Sequence, residues 1–125
     1  MKRCYNVEDF RQQARRRLPF GLFEYIDRAT EDDSAVARNR ADFQKIFLTP
    51  RVVRDVSQRS TASDSLGVRH PMPVVVAPAG PAGLFWYRGE LAVAKAAAEA
   101  GIPFTLSTFS TTPIEEIAAL GGRRW

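Results

Sequence analysis

A run of β-branched apolar residues, Pro73-Val74-Val75-Val76-Ala77, stops abruptly at Pro78-Ala79-Gly80. A helical segment from Glu90 to Ala100 follows, then a second short apolar run, Ile102 to Leu106, closing on Ser107. Strand, loop, helix, strand is the βαβ step of a parallel sheet. No other feature constrains the fold as strongly, because parallel sheets occur almost only with both faces covered. One crossover cannot cover both faces, and the sequence reaches Trp125 soon after making it. The chain is therefore expected to be the opening part of a larger α/β fold.

The remaining segments arrange themselves around that step. Residues 7–18 predict a first helix, with Asn6 as its N-cap and Glu8-Asp9 in the first turn, where the helix dipole favours them. Phe10, Ala14 and Leu18 recur at every fourth residue and leave Arg15-Arg16-Arg17 on the other sides, so this basic run reads as a solvated helix face. Pro19 suits the first position of a second helix over 19–27. Thr30-Glu31-Asp32-Asp33 leads into a third helix, with apolar positions at Val36, Phe43, Ile46 and Phe47 and an end at Thr49-Pro50. Over residues 51–72, Val52, Val53 and Val56 alternate poorly, Ser57 to Ser65 is polar, and Leu66-Gly67 and His70-Pro71 punctuate the chain, which predicts short strands or an extended wrap. Gly83 to Gly89 reads as a loop. A last short helix is expected over 113–119, capped by Thr111 or Thr112 and stopped by Gly121-Gly122. A third strand should begin at Arg123-Arg124-Trp125.

Composition narrows the function classes. No stretch approaches the roughly 18 to 20 apolar residues of a membrane span. Cys4 is the only cysteine, and no apolar core follows the basic N-terminus. A secretory signal and an intrachain disulfide are therefore not expected, and a cytoplasmic chain is. The net charge of +4 invites a small basic nucleic-acid binder as an alternative function. The basic residues are scattered and interleaved with acids, so no nucleic-acid partner is expected.

Chemistry in a parallel α/β fold collects at the carboxyl ends of the strands. Two such ends are present, Pro78-Ala79-Gly80 and Ser107-Thr108. Gly80 lacks a Cβ and lets backbone approach a flat ligand, while Ser107 places a hydroxyl where the second strand opens. Proline and glycine also end strands that bind nothing, and serine also caps helices, so position alone leaves both readings open. His70 precedes Pro71 in a polar stretch and reads as an exposed loop residue rather than a base. No metal-ligand spacing and no phosphate-binding glycine loop is present, so neither a metal site nor a catalytic residue is assigned. Tyr25, among Phe20, Leu22, Phe23 and Ile26, reads from its neighbours as a core aromatic.

Several motifs in one order then carry a resemblance. They are Leu18-Pro19 with Phe23-Glu24-Tyr25, Asn39-Arg40 with Phe43, Pro50-Arg51-Val52 with Asp55-Val56-Ser57, Met72-Pro73 to Gly80, Gly89-Glu90-Leu91-Ala92 and Leu106-Ser107-Thr108. Together they resemble the N-terminal third of the FMN-dependent 2-hydroxy-acid dehydrogenases and oxidases. Asn6-Val7-Glu8-Asp9 and Ala100-Gly101-Ile102-Pro103-Phe104 bring the chain closest to the mandelate branch. The resemblance implies an incomplete TIM (β/α)8 barrel of the α/β class. Residues 1–72 would be a helical and extended segment covering the barrel base, and residues 73–125 the first two βα units.

It also implies FMN as cofactor, with Pro78, Ala79 and Gly80 against the flavin ring and Ser107 hydrogen-bonded to it. Tyr25 would donate its phenol to the carboxylate of a small 2-hydroxy-acid substrate, which the full-length enzyme oxidises to a 2-keto acid. A homo-oligomeric full-length protein, with peripheral membrane association in the mandelate branch, belongs to the same implication. Two positions depart from the family pattern: Arg28-Ala29 stands where a glycine pair is usual, and Ala79 where a threonine is common. The family's catalytic histidine, carboxylate-gripping arginines and flavin lysine fall later in its pattern than this sequence reaches. The isolated chain is accordingly expected to be inactive and to hold no FMN tightly. The alternative outside the enzyme class is a non-enzymatic subunit that completes a barrel with another chain.

Overall fold

The computed structural model describes residues 3–65 and 67–124, so Met1, Lys2, Leu66 and Trp125 lie outside the described residues. The chain divides into two units, Met1–Arg54 and Asp55–Trp125.

The first unit consists of α1 (Val7–Arg17), α2 (Phe20–Asp27) and α3 (Ser34–Gln44). Asn6 caps α1 as expected, its Oδ1 accepting from the Asp9 amide at 2.8 Å. Asp9 in turn accepts from the Tyr5 amide at 2.8 Å, so one donor that the helix leaves unpaired and the amide just ahead of the N-cap are both satisfied. Charge links these helices more than apolar packing does, since Phe23 is the only buried side chain among the described residues of the unit. Arg11 of α1 donates to Asp27 of α2 at 2.8 Å and to Glu8 at 3.2 Å, and Arg40 of α3 reaches Glu8 at 3.4 Å. The Arg11 hydrogen bond holds the Asp27 carboxyl below the usual range.

Two expectations fail in this unit. The stripe begun at Phe10 is not buried, and Phe43, Ile46 and Phe47 stay exposed. α3 also stops at Gln44 rather than at Thr49-Pro50. Its last turn tightens, with Lys45 N–H on the Asp42 carbonyl and Ile46 N–H on the Phe43 carbonyl. Short helices draw their stability from tertiary packing. Ile46, Phe47 and Leu48 are exposed, so no packing among the described residues supports a longer helix. The Arg28-Ala29 turn forms without a glycine: Arg28 lies at φ −82°, and the Ala29 amide donates to Asp33 Oδ1 at 2.8 Å.

The second unit opens with the expected short strands. β1 (Ser63–Ser65) and β2 (Val68–His70) pair antiparallel, with Ser63 opposite His70. His70 corrects the sequence reading: it is 3% exposed, not a surface loop residue. Its Nδ1 lies 3.0 Å from Arg123 Nη1 and so accepts from a guanidinium that can only donate. Arg123 also donates to the Arg69 carbonyl.

The parallel step is present and narrow. Val76 N–H donates to the Pro103 carbonyl at 2.9 Å, and Thr105 N–H to the Val76 carbonyl at 3.1 Å. Phe104 pairs in parallel with Val76 on one side and with Arg124 on the other, where the third strand was expected. Pro73 and Pro103 carry no backbone donor, which limits how far the ladder extends. Between the first two extended segments lie α4 (Ala82–Phe85), which the sequence reading took as loop, and α5 (Gly89–Glu99). α6 (Ile114–Ala119) follows the second.

α5 turns Ala94 and Ala97 inward, three residues apart on one face, against Phe104 and Ile117, with Val76, Leu91, Ile102 and Leu106 packed around them. Its end is a Schellman turn. Gly101 takes φ +68°, its amide donates to the Ala98 carbonyl, and the Ile102 amide donates to the Ala97 carbonyl. That turn delivers the chain directly into the second extended segment.

Candidate functional site

The two strand ends singled out in the sequence meet. A Cβ built on Gly80 would lie 2.7 Å from Ser107 Oγ and 2.9 Å from Ser107 Cβ. Only a glycine lets the first strand end come this close to the second. Pro78, Ala79 and Gly80 are exposed, and Ser107 is half-buried. Ser107 Oγ accepts from the Phe109 amide at 3.1 Å, which leaves its O–H to donate. The pair therefore offers approachable backbone beside one hydroxyl whose O–H can donate, at the carboxyl ends of two adjacent parallel segments. Tyr25 stands on α2 in the first unit and is 68% exposed. Its reading as a core aromatic is wrong; in this structure the ring is largely open to solvent.

The residue that the sequence reading missed is Glu90. It is 2% exposed, yet it is charged and forms no ion pair among the described residues. Oε1 accepts from the Gly83 amide at 3.0 Å and the Thr111 amide at 3.2 Å, and Oε2 accepts from the Thr111 and Thr112 hydroxyls, each at 3.2 Å. Burial works against its charge, but these donors and its own amide outweigh that cost and hold the carboxyl down at about 2. Thr111 and Thr112, expected to cap α6, serve Glu90 instead, and Pro113 occupies the N-cap position of α6. A carboxylate directly after Gly89 at a helix start was the visible signal. Its partners, seven and twenty-one residues away, were not.

Arg88, at φ 52°, donates to Glu116 Oε2 at 2.6 Å and so links the start of α5 to α6 on the surface. A polar cleft lined by Gly83, Tyr87, Arg88, Thr111, Thr112 and Glu116 lies over this junction.

Parallel segments joined through helices, with glycine and hydroxyl at their carboxyl ends, are the opening of a TIM (β/α)8 barrel. The pattern of FMN-dependent dehydrogenases matches residues 14–125, and the chain belongs to that family. It is 43% identical over 114 residues to (S)-mandelate dehydrogenase of Pseudomonas putida, a match that covers 91% of this chain and 29% of that protein. It is 42% identical over 113 residues to an L-lactate dehydrogenase of Haemophilus influenzae, covering 90% of this chain and 30% of the other. The crystal structure of a soluble mutant of the membrane-associated Pseudomonas enzyme superposes with a TM-score of 0.91 at 42% identity, over 98% of this chain and 36% of that one. The chain thus spans about a third or less of the relatives it matches. No helix among the described residues is long and apolar enough to cross a membrane.

FMN is the cofactor of the family, and the residues present suit it. A flat ring needs backbone it can approach and a donor at its edge, and Gly80 and Ser107 supply one each.

Proposed function

We propose that this chain builds one side of the FMN site, and contributes one substrate-binding phenol, in an enzyme that oxidises (S)-2-hydroxy acids to 2-keto acids. The carrying observation is the meeting of Gly80 and Ser107 at the carboxyl ends of adjacent parallel segments. Pro78, Ala79 and Gly80 would lie along the flavin ring, and Ser107 would donate to it. The bound flavin supplies the redox chemistry by accepting the two electrons that leave the substrate. Tyr25, exposed on α2, would donate its phenolic O–H to the substrate carboxylate and so fix the acid's orientation. Residues 73–125 would be the first two βα units, and residues 1–72 the family's helical and extended lead-in.

The substrate class follows the relatives, which act on mandelate and lactate by name. A homo-oligomeric full-length protein is part of the same reading. So is cytoplasmic residence with peripheral membrane association, which rests on the single cysteine and on the membrane-associated Pseudomonas relative.

The test is a chimera in which this chain replaces the matching N-terminal portion of the Pseudomonas enzyme. It should retain FMN through gel filtration and reduce it with mandelate. Tyr25→Phe should raise KM for the acid about tenfold, the loss of one hydrogen bond to a charged group. A folded chimera that binds no flavin, or a Tyr25→Phe form with unchanged KM, would overturn the assignment.

A further inference from the structure

We propose that Glu90 is the positioning residue of this site: its buried carboxylate clamps the loop after the first strand to the loop after the second, and so sets Gly80 against Ser107. The inference rests on the flavin reading above. Gly83 lies three residues beyond Gly80, and Thr111 four beyond Ser107. Both amides donate to the same oxygen, Glu90 Oε1, at 3.0 and 3.2 Å. The loops are therefore pinned together just past the point where the strand ends touch. With one tie at Gly83–Glu90–Thr111 and one contact at Gly80–Ser107, neither loop can slide along the other without breaking a bond or forcing an overlap.

The chemistry of the group matters. Two amide donors and two hydroxyls converge on it, and only an ionised carboxylate accepts at both oxygens and donates nothing. Glutamine would turn an NH₂ toward the threonine hydroxyls, and aspartate would fall one methylene short.

The surrounding glycines make room for the clamp. A Cβ on Gly83 would collide with Thr111 and come within 3.0 Å of Glu90 Oε2. A Cβ on Gly89 would lie 2.6 Å from the Ala82 carbonyl oxygen, so α5 could not start where it does.

A second side-chain tie between these elements is the Arg88–Glu116 pair. Its side chains are 55% and 48% exposed, and exposed ion pairs contribute little. Glu90 also stands apart from the apolar cluster of Ala94, Ala97, Phe104 and Ile117. Its bonds go to the loops at the ligand-facing end, not to the core.

The test uses the isotope-labelled 125-residue chain as wild type, Glu90→Gln and Thr111→Val. Amide resonances are recorded first without ligand and then during titration with FMN to millimolar concentration. In Glu90→Gln the amides of Gly83 and Thr111 should move, those of Gly80 and Ser107 should move with them, and those of Ala94, Ala97 and Ile117 should hold. FMN affinity read at Gly80 and Ser107 should weaken about tenfold in Glu90→Gln and about threefold in Thr111→Val, as misplacement of a binding surface predicts. If Glu90→Gln does not fold, Thr111→Val carries the same readout with the carboxylate intact. Movement confined to Gly83 and Thr111, with unchanged FMN affinity, would reduce Glu90 to a local strut and overturn the inference. A wild-type chain whose Gly80 and Ser107 respond to Glu90→Gln but never to FMN would sink the flavin reading and leave the clamp standing.

Discussion

Gly80 and Ser107 form a close contact at the candidate site, and it can be broken with one methyl group. Gly80→Ala places that methyl 2.7 Å from Ser107 Oγ, closer than Cβ atoms approach their neighbours. Either Ser107 rotates away, taking its donor with it, or the first strand end retreats. Overpacking of this kind costs about 1–3 kcal/mol. The cost should fall by more than half in Gly80→Ala/Ser107→Gly, where the obstructing atoms are gone; denaturant melts of the four forms measure the coupling.

Glu90 makes a separate prediction in pH. Its carboxyl is lowered from an ordinary 4.5 to about 2. A depressed acid stabilises the fold fully above its unfolded value and loses that contribution as pH falls through its folded value. Stability should therefore decline between about pH 4.5 and 2, and the decline should be shallower in Glu90→Gln. Acid melts of equal slope in the two forms would show that the donors around Glu90 do not favour its charge.

Elements were legible where one local rule sufficed. Asn6, Asp9 and the acidic first turn announce α1, and Gly101 announces the end of α5. Gly101 sits at φ +68° with two amide bonds closing behind it, so Gly101→Ala should cost about 1 kcal/mol or more, read from thermal melts. An unchanged melting temperature would mean that the turn rearranges freely. The parallel step was legible too, because Val74 to Val76 and Ile102 to Leu106 flank a helix whose alanines allow close packing.

What escaped the sequence depends on distant partners. α4 is a single turn of four residues between Pro81 and Trp86, too short for any periodic signal. α3 looked longer because Ile46 and Phe47 continue an apolar spacing that no burial follows. His70 looked exposed because Arg123, which packs on it, lies fifty-three residues away. At the site, the two strand ends were readable from strand position, whereas the carboxylate that joins their loops was not.

At the scale of the whole molecule, the question is which group could take a proton from a 2-hydroxy acid. Oxidation to a 2-keto acid removes two electrons and two protons, so a base must stand beside the reacting carbon. His70 is the sole histidine, and it lies in β2, ahead of the first parallel segment, ten residues from Gly80. It is buried and already accepts from Arg123. Because Val76 pairs in the ladder between His70 and Gly80, the imidazole belongs to the opposite end of the parallel segments from the proposed flavin face. Glu90 is held near 2 by its donors and is too weak a base for the task. Tyr25, in the role proposed above, would donate to the substrate carboxylate rather than accept a proton. In the proposed reading the groups at this site would serve orientation and contact with a flavin, and none of His70, Glu90 and Tyr25 is assigned to proton removal. The 125-residue chain, incubated anaerobically with FMN and mandelate or lactate, should bleach no flavin and form no 2-keto acid. FMN should also separate from it on gel filtration, since two strand ends bury too little of the cofactor to slow its release. The chimera with the Pseudomonas portion should gain both properties at once. Keto-acid formation by the chain alone would show that some group of this chain serves as the base, and Tyr25→Phe, Glu90→Gln and His70→Asn would test these three.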